Sequence, residues 1–193
     1  MLNKEINYVV SGLERSGTSL MMQMLHMGGL PVAFDDSRPA DENNPRGYYE
    51  LAGGKIINRL IEGTFDIEAY KGYVIKITAY GLKFLPESNY RIVYMRRNID
   101  EVLKSMQKMS ANIDAGKDKM LFQKLDRFSL ELMHSRDDME YITVKYRDLI
   151  DNQRKEMKRV SHFLDVPLSI DAAVKAVDTS LYRNRSRIIK FDI

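Results

Sequence analysis

The segment from Val9 to Ser19 constrains the fold more than any other part of the chain, because an apolar run breaks there into a glycine-bracketed loop that opens a helix. Gly12 and Gly17 permit backbone angles that residues with a Cβ avoid. The N–H groups of such a loop and of the helix after it point at one anionic pocket. The spacing Gly12-x-x-x-x-Gly17 is that of phosphate-binding loops and predicts a phosphate site at the end of the first strand.

The residues around the second glycine differ from those of nucleoside-triphosphate enzymes. Thr18 and Ser19 stand where those enzymes carry Lys and then Ser or Thr, and Arg15 supplies a cation from inside the loop. The loop therefore matches ATP hydrolysis poorly but still suits an anhydride-linked anion. The alternative is a tight turn without a ligand, which would need the glycines but not the polar residues between and after them.

Length and composition predict one soluble domain over residues 1–193, with 44% hydrophobic and 30% charged residues. A net charge of +3 is too small for a general nucleic-acid binder. The chain has no cysteine and three scattered histidines, which excludes thiolate chemistry and argues against a histidine zinc site. The polar start and the lack of a long apolar run predict a cytoplasmic protein without a signal peptide or membrane anchor.

Four runs rich in β-branched or aromatic residues are predicted strands, at residues 6–10, 73–77, 91–95 and 141–145. Helical patterns separate them at residues 16–27, from Asn98 onward, at 117–140 and at 151–164. This alternation predicts a three-layer α/β fold with a central, mostly parallel sheet of four or five strands flanked by helices. Asn98 and Glu101 fit a capping box, and residues 35–50 read as a loop. Helical spacing in the third pattern runs through Leu121, Leu125, Phe128 and Leu132.

A second phosphate-binding pattern lies where the third predicted strand ends. Arg96 and Arg97 emerge at that edge of the sheet, where ligands of open α/β folds bind. Ser105 follows Arg97 by two helical turns, so the two side chains could grip a separate phosphate. The alternative is a solvated arginine pair, although positive charge at a helix start is mildly unfavourable.

Together the two patterns resemble the sulfotransferases that use 3′-phosphoadenosine 5′-phosphosulfate (PAPS), with the closest likeness to small bacterial members. Residues 12–19 resemble the family loop for the 5′-phosphosulfate, and residues 97–105 resemble its 3′-phosphate motif. The resemblance implies a P-loop-like fold, PAPS as the donor substrate and no metal. Weaker likenesses lie in residues 38–41, 44–50, 146–149 and 163–167.

The resemblance also implies roles for individual residues. Lys76 lies in an apolar strand, where a charge is costly unless it meets an anion, and it resembles the family lysine that assists the leaving group. The alternative is a snorkelling lysine on an edge strand. Thr78 stands where the family's histidine base would be. The implied donor-binding residues are Gly12, Arg15, Ser16, Gly17, Thr18, Ser19, Arg97 and Ser105.

A carboxylate from the loop at 35–50 is the expected replacement for the missing base. Glu50, flanked by two tyrosines, is the preferred candidate and Asp41 the second, although either could belong to a solvated acidic loop. The other candidates are Asp35, Asp36 and Glu42. A lid is predicted around Asn112, Asp114, Gly116 and Lys117, and Arg183, Arg185 and Arg187 are candidates for closing over the 3′-phosphate.

The sequence therefore predicts transfer of a sulfuryl group from PAPS to a hydroxyl or amine of a small-molecule or carbohydrate acceptor. Lys76, Glu50 and Arg15 are the predicted catalytic residues. The acceptor and the oligomeric state stay open. One alternative is a non-catalytic nucleotide-binding protein of the same fold. Another is a P-loop kinase or NTPase, which should show the loop lysine and an acidic strand end for magnesium.

Overall fold

The computed structural model describes residues 1–35, 39–41, 44, 47–108 and 115–178. Within these ranges a sheet of four parallel strands forms in the spatial order β2-β1-β3-β4. The strands are β1 (Asn7–Gly12), β2 (Val74–Lys76), β3 (Tyr90–Arg96) and β4 (Met139–Lys145). Each predicted strand is confirmed, with ends that shift by at most two residues. Parallel pairing brings the carboxyl ends of all of them to one edge of the sheet.

The described ranges also contain seven α-helices. None of them is long and apolar enough to cross a membrane. The predicted helix at 151–164 is confirmed with a start at Gln153, and a short separate helix precedes it; the predicted helix at 117–140 ends before β4 begins. The helices are α1 (Thr18–Met27), α2 (Ile56–Ile61), α3 (Ile99–Gln107), α4 (Ala115–Ser135), α5 (Tyr146–Asp151), α6 (Gln153–Leu164) and α7 (Ile170–Val174).

Helices cover both faces of the sheet, which confirms the predicted three-layer α/β fold. On one face α1, α6 and α7 pack against the strands, and Met21, Met22 and Met24 of α1 are fully buried in that core. On the other face lie α2, a 3₁₀ segment at Ala79–Phe84, and α4. These three methionines thus fill the core, as methionines usually do, whereas Met27 at the end of α1 is exposed.

Helix α4 turns only part of its predicted apolar spacing to the sheet: Leu125 and Leu132 pack against the core. Leu121 and Phe128 are 60% and 44% exposed, whereas Asp126 is 9% exposed. The reason is a polar contact with β3, since the Asp126 carboxylate accepts hydrogen bonds from Tyr94 and Arg96 at 3.2 and 2.6 Å. A buried carboxylate needs such partners, and they fix the rotation of the helix.

Candidate active site

The loop between β1 and α1 packs so tightly that its two glycines cannot be replaced without strain. Gly12 has φ 144°, and a Cβ there would lie 2.4 Å from the Met95 carbonyl oxygen and 2.6 Å from Ser16 Oγ. Gly17 has φ 103°, and a Cβ there would lie 2.4 Å from the ring of Tyr146. The glycines therefore let the loop rest directly on β3 and on the start of α5.

The start of α1 is open to an anion. Its N-cap is Gly17, so no side chain caps the helix, and the first turn holds no acidic residue. The N–H groups of a first turn lack partners inside the helix and favour negative charge. Beneath the loop, the buried hydroxyl of Ser16 has no hydrogen-bond partner among the described residues, although buried polar groups ordinarily have one. Thr18, Ser19 and the loop thus fit a phosphate group.

The two phosphate-binding patterns meet in space. Arg15 Nε donates a hydrogen bond to Ser105 Oγ at 3.0 Å, and Arg97 Nη1 donates to the carbonyl oxygen of Arg15 at 3.2 Å. Arg15 adopts φ 62°, a left-handed conformation that is uncommon for a residue with a side chain. The loop and the β3–α3 junction therefore form one cationic site.

Arg97 is held by two further neighbouring groups, a carboxylate and an aromatic ring. Its Nε lies 3.1 Å from Glu101 Oε2, its guanidinium carbon lies 4.4 Å from the centroid of the Tyr146 ring, and both charged side chains are nearly buried, at 9% and 3% exposed. Asn98 caps α3, as predicted, but Glu101 pairs with Arg97 instead of closing the capping box, because a buried guanidinium needs a counter-ion. The i,i+4 spacing could have revealed this pair, whereas nothing in the sequence places Tyr146 beside it.

Arg96 points to the opposite face of the sheet, because side chains alternate along a strand. Its Nη2 lies 2.6 Å from Asp126 Oδ2, and its side chain is 43% exposed. The two arginines therefore do not act as a pair, and the structure brings only Arg97 to the loop.

Lys76 at the end of β2 is buried, with 4% of its side chain exposed, so it is not a snorkelling lysine. Its Nζ donates hydrogen bonds to the Tyr48 carbonyl oxygen, to Glu50 Oε1 at 2.9 Å and to Ser19 Oγ at 3.5 Å. Ser19 Oγ donates to the same Tyr48 carbonyl at 3.3 Å. The structure thus brings the predicted lysine and the preferred carboxylate together beside the first turn of α1.

Two other carboxylates of this segment support its backbone and side chains. Asp41 Oδ2 accepts a hydrogen bond from the Tyr48 hydroxyl at 2.8 Å. Asp35 Oδ2 accepts from the Ala52 N–H at 2.5 Å, and the Asp35 N–H donates to the Glu50 carbonyl at 2.9 Å. Sequence reasoning could not assign these contacts, because they depend on how the irregular segment folds back on itself.

Tyr49 faces away from Lys76 into an aromatic cluster. Its ring centroid lies 4.6 Å from that of Phe34 and 5.9 Å from that of His26. Burial raises the pKa of Tyr49 above its ordinary value of 10.0, so the side chain stays a neutral phenol near pH 7. Tyr49 is therefore not a base for the site.

Several residues with predicted roles lie outside the described ranges, and two residues of the predicted lid lie in a helix. Gly116 and Lys117, two of the four residues around which a lid is predicted, belong to the first turn of α4. In the part of the chain that is described, no group of three or more His, Cys, Asp or Glu is placed to hold a metal ion. Asp36, Glu42, Asn112, Asp114, Arg183, Arg185 and Arg187 lie outside the described ranges.

Solved structures with the same fold include sulfotransferases. The sulfotransferase domain of the Synechococcus PCC 7002 olefin synthase is 15% identical with a TM-score of 0.56, over 97% of this chain and 82% of that one. Mouse sulfotransferase SULT7A1 complexed with PAP is 12% identical with a TM-score of 0.56, over 97% and 70%. Sulfotransferase STF9 from Mycobacterium avium is 12% identical with a TM-score of 0.53, over 96% and 70%.

Sequence comparison settles the family. A search against curated proteins found no match. The family model described as "Sulfotransferase domain", however, matches residues 5–187, which is nearly the whole chain. This chain belongs to the sulfotransferase domain family.

Proposed function

We propose that this chain, as one domain over residues 1–193, transfers a sulfuryl group from PAPS to a hydroxyl or amine of a small-molecule or carbohydrate acceptor. The observation that carries the proposal is the contact of Arg15 with Ser105 and Arg97, which joins two phosphate-binding patterns into one site. A nucleoside with phosphates on its 3′ and 5′ oxygens presents two anions that one ribose separates. ATP presents one continuous chain of phosphates. The PAP complex of mouse SULT7A1, a protein of the same fold, supports the choice of donor.

Donor binding divides between the two patterns. The loop N–H groups and the first turn of α1, with Gly12, Ser16, Gly17, Thr18 and Ser19, receive the 5′-phosphosulfate. Arg97 and Ser105 receive the 3′-phosphate, and Glu101 and Tyr146 hold Arg97 in place before the donor arrives. Because that guanidinium is already fixed, little side-chain entropy is lost when it binds an anion.

The reaction itself is an in-line displacement at sulfur. Glu50 accepts the proton of the acceptor while the acceptor oxygen or nitrogen bonds to sulfur and the bond from sulfur to the 5′-phosphate oxygen breaks. Lys76 and Arg15 donate hydrogen bonds to the oxygens on which negative charge develops. Arg15 can bind two oxygens at once, which a lysine at that position cannot.

The Glu50–Lys76 contact adds one requirement. The two groups lie 2.9 Å apart, whereas in-line attack places the base and the leaving-group cation at opposite ends of the transferred group. The pair therefore separates before transfer. Lys76 carries its charge on a flexible four-carbon stem, so it is the partner that moves toward the donor.

A direct test supplies PAPS with 4-nitrophenol, tyrosine methyl ester or glucosamine and measures PAP release and sulfated product by mass spectrometry. The wild-type protein is expected to sulfate at least one acceptor. Glu50→Gln should lower its turnover by about 10²–10⁴-fold, the range of general-base catalysis. Glu140→Gln is the matched control, because Glu140 pairs with Arg91 at the other end of β3. A wild-type rate in Glu50→Gln would show that another group is the base. Failure of the wild-type protein to sulfate any of the three acceptors would contradict the proposal.

A further inference from the structure

Glu50 lies in an irregular stretch of backbone, residues 47–54, which we call the Glu50 segment. Tyr49 and Ala52 both have φ 54°, in the left-handed region that side chains disfavour. Such backbone angles are unfavourable for residues with a side chain, so the conformation persists only where surrounding contacts hold it. The position of the Glu50 carboxylate therefore depends on what anchors the residues on either side of it.

Asp35 anchors the Glu50 segment at two points. Its backbone N–H donates to the Glu50 carbonyl at 2.9 Å, and its carboxylate oxygen Oδ2 accepts from the Ala52 N–H at 2.5 Å. The second bond has an ionised acceptor, which makes it roughly twice as strong as a neutral hydrogen bond. The two bonds fix the chain on the carboxyl side of Glu50, at its own carbonyl and at the N–H of the second residue after it.

The other side of Glu50 is fixed by the residue before it. The ring of Phe34, next to Asp35 in the chain, packs on the ring of Tyr49 with 4.6 Å between centroids. Residues 34 and 35 thus hold the backbone before and after Glu50. The Glu50 carboxylate is then directed at Lys76 Nζ, 2.9 Å away.

We propose that Asp35 is a positioning residue for sulfuryl transfer, which acts by fixing the Glu50 backbone so that the base stays in place when Lys76 moves to the donor. This inference rests on the proposed function, since it takes Glu50 as the base. Without the Asp35 carboxylate, Ala52 loses its anchor and the strained Glu50 segment relaxes. Glu50 then no longer meets Lys76, or the acceptor, at a fixed distance.

Three substitutions and one control separate positioning from general stability. Asp35→Ala removes the acceptor for the Ala52 N–H, and Asp35→Ser leaves a hydroxyl one atom too short to reach it. Asp35→Asn keeps an oxygen at the same place and should rescue the bond as a neutral one. Asp66→Ala is the matched control, because Asp66 Oδ1 accepts a backbone hydrogen bond from the Glu68 N–H at 3.1 Å near the opposite edge of the sheet.

The first measurement needs neither donor nor acceptor. The side-chain ammonium of Lys76 is observed by NMR in ¹⁵N-lysine-labelled protein and assigned with Lys76→Arg. In Asp35→Ala and Asp35→Ser its signal should move to the position it takes in Glu50→Gln, because both changes remove the carboxylate from Lys76. Asp35→Asn and Asp66→Ala should keep the wild-type position. An unchanged signal in both Asp35→Ala and Asp35→Ser would overturn the inference. If Asp35→Ala fails to fold, Asp35→Ser decides.

The second measurement is turnover of PAPS with 4-nitrophenol, or with whichever of the three acceptors is sulfated fastest. Asp35→Ala should lower kcat by about 10- to 100-fold, as misplacement of a catalytic group does, with KM for PAPS unchanged. It should have no further effect in the Glu50→Gln background, whereas an additional loss of the same size there would overturn the inference. Should no acceptor be sulfated, the proposed function fails, and the Lys76 signal still decides whether Asp35 positions Glu50.

Discussion

Charged networks lie at both the amino ends and the carboxyl ends of the strands, which we call the amino edge and the carboxyl edge of the sheet, and the two networks have different roles. At the amino edge, Asp138 accepts hydrogen bonds from Arg136 at 2.9 and 2.5 Å and from the Ser88 N–H at 3.0 Å. Ser88 in turn donates to Glu68 at 2.6 Å, and Asn7 donates to both Ser88 and Glu68. Asn7 opens β1, Ser88 and Asp138 stand just before β3 and β4, and Glu68 joins them from a 3₁₀ segment before β2, so the network ties the starts of the strands together.

At the carboxyl edge Arg97 is paired with Glu101, but two other cations have hydroxyl or carbonyl partners. Lys76 is bonded to a carbonyl and a hydroxyl as well as to Glu50, and Arg15 is bonded to the hydroxyl of Ser105. Neutral acceptors of this kind can be exchanged for phosphate oxygens, which attract a cation more strongly. The comparison teaches that substitutions at the carboxyl edge should change ligand binding and turnover, and that substitutions at the amino edge should change stability.

The largest expected effect is the loss of turnover when Lys76 loses its charge, and its absence would contradict the functional difference between the two edges. Lys76→Met keeps the bulk of the stem and removes the charge, so PAPS turnover should fall by about 10²–10³-fold, as when one donor to a developing anion is lost. PAP affinity, measured by calorimetry, should stay near the wild-type value. Lys71→Met is the control, since Lys71 pairs with Glu68 at the amino edge, and it should leave turnover unchanged. Equal losses in both variants would erase the distinction between the edges.

The next effect concerns nucleotide selectivity. Arg97→Ala would leave Glu101 buried without its counter-ion and would confuse binding with stability. Arg97→Lys keeps the charge but not the planar fork, and should weaken PAP binding about tenfold, or ~1.4 kcal/mol, while adenosine 5′-phosphate binds as before. Arg91→Lys, near the start of β3, should alter neither affinity. If Arg97→Lys weakened PAP and adenosine 5′-phosphate binding equally, Arg97 would not be a ligand of the 3′-phosphate.

The smallest expected effect is the contribution of Glu68, at the amino edge, to the pH dependence of the free energy of unfolding. Hydrogen bonds from Lys71 and Ser88 lower the pKa of Glu68 from 4.5 to about 2. The carboxylate therefore stabilises the fold above pH 4.5, and this contribution is lost as the pH falls through the range from 4.5 to 2. Because Glu68 is half exposed, we expect only ~0.5–1 kcal/mol. Urea unfolding at pH 7 and pH 3 should show a smaller acid loss in Glu68→Gln than in the wild type. An identical loss would assign the acid sensitivity to other carboxylates.

Much of the fold could be predicted, because its signals are local. Apolar runs of strand length gave the four described strands, and the glycine spacing gave the strand-to-helix junction at Gly12 and Gly17. Asn98 caps α3 as its position predicts. These features depend on neighbours within a few residues, so they can be read from the chain.

The contacts that define the site could not be predicted, because they join distant segments. Tyr146 meets Arg97, and Asp35 anchors Ala52, only after the loops have folded against the sheet. The exposure of Leu121 and Phe128 on α4 likewise accompanies the Asp126 contact with β3, which joins residues far apart in the chain. Tertiary partners thus overrode local patterns at these positions.

The most direct test of the account is calorimetric titration of the wild-type protein with PAP, adenosine 5′-phosphate and Mg-ATP under one set of conditions. If the loop and the β3–α3 junction form one site for a nucleoside 3′,5′-bisphosphate, PAP should bind at least tenfold more tightly than either of the others, a difference of about 1.4 kcal/mol. Equal affinity for PAP and adenosine 5′-phosphate, or a preference for Mg-ATP, would contradict it.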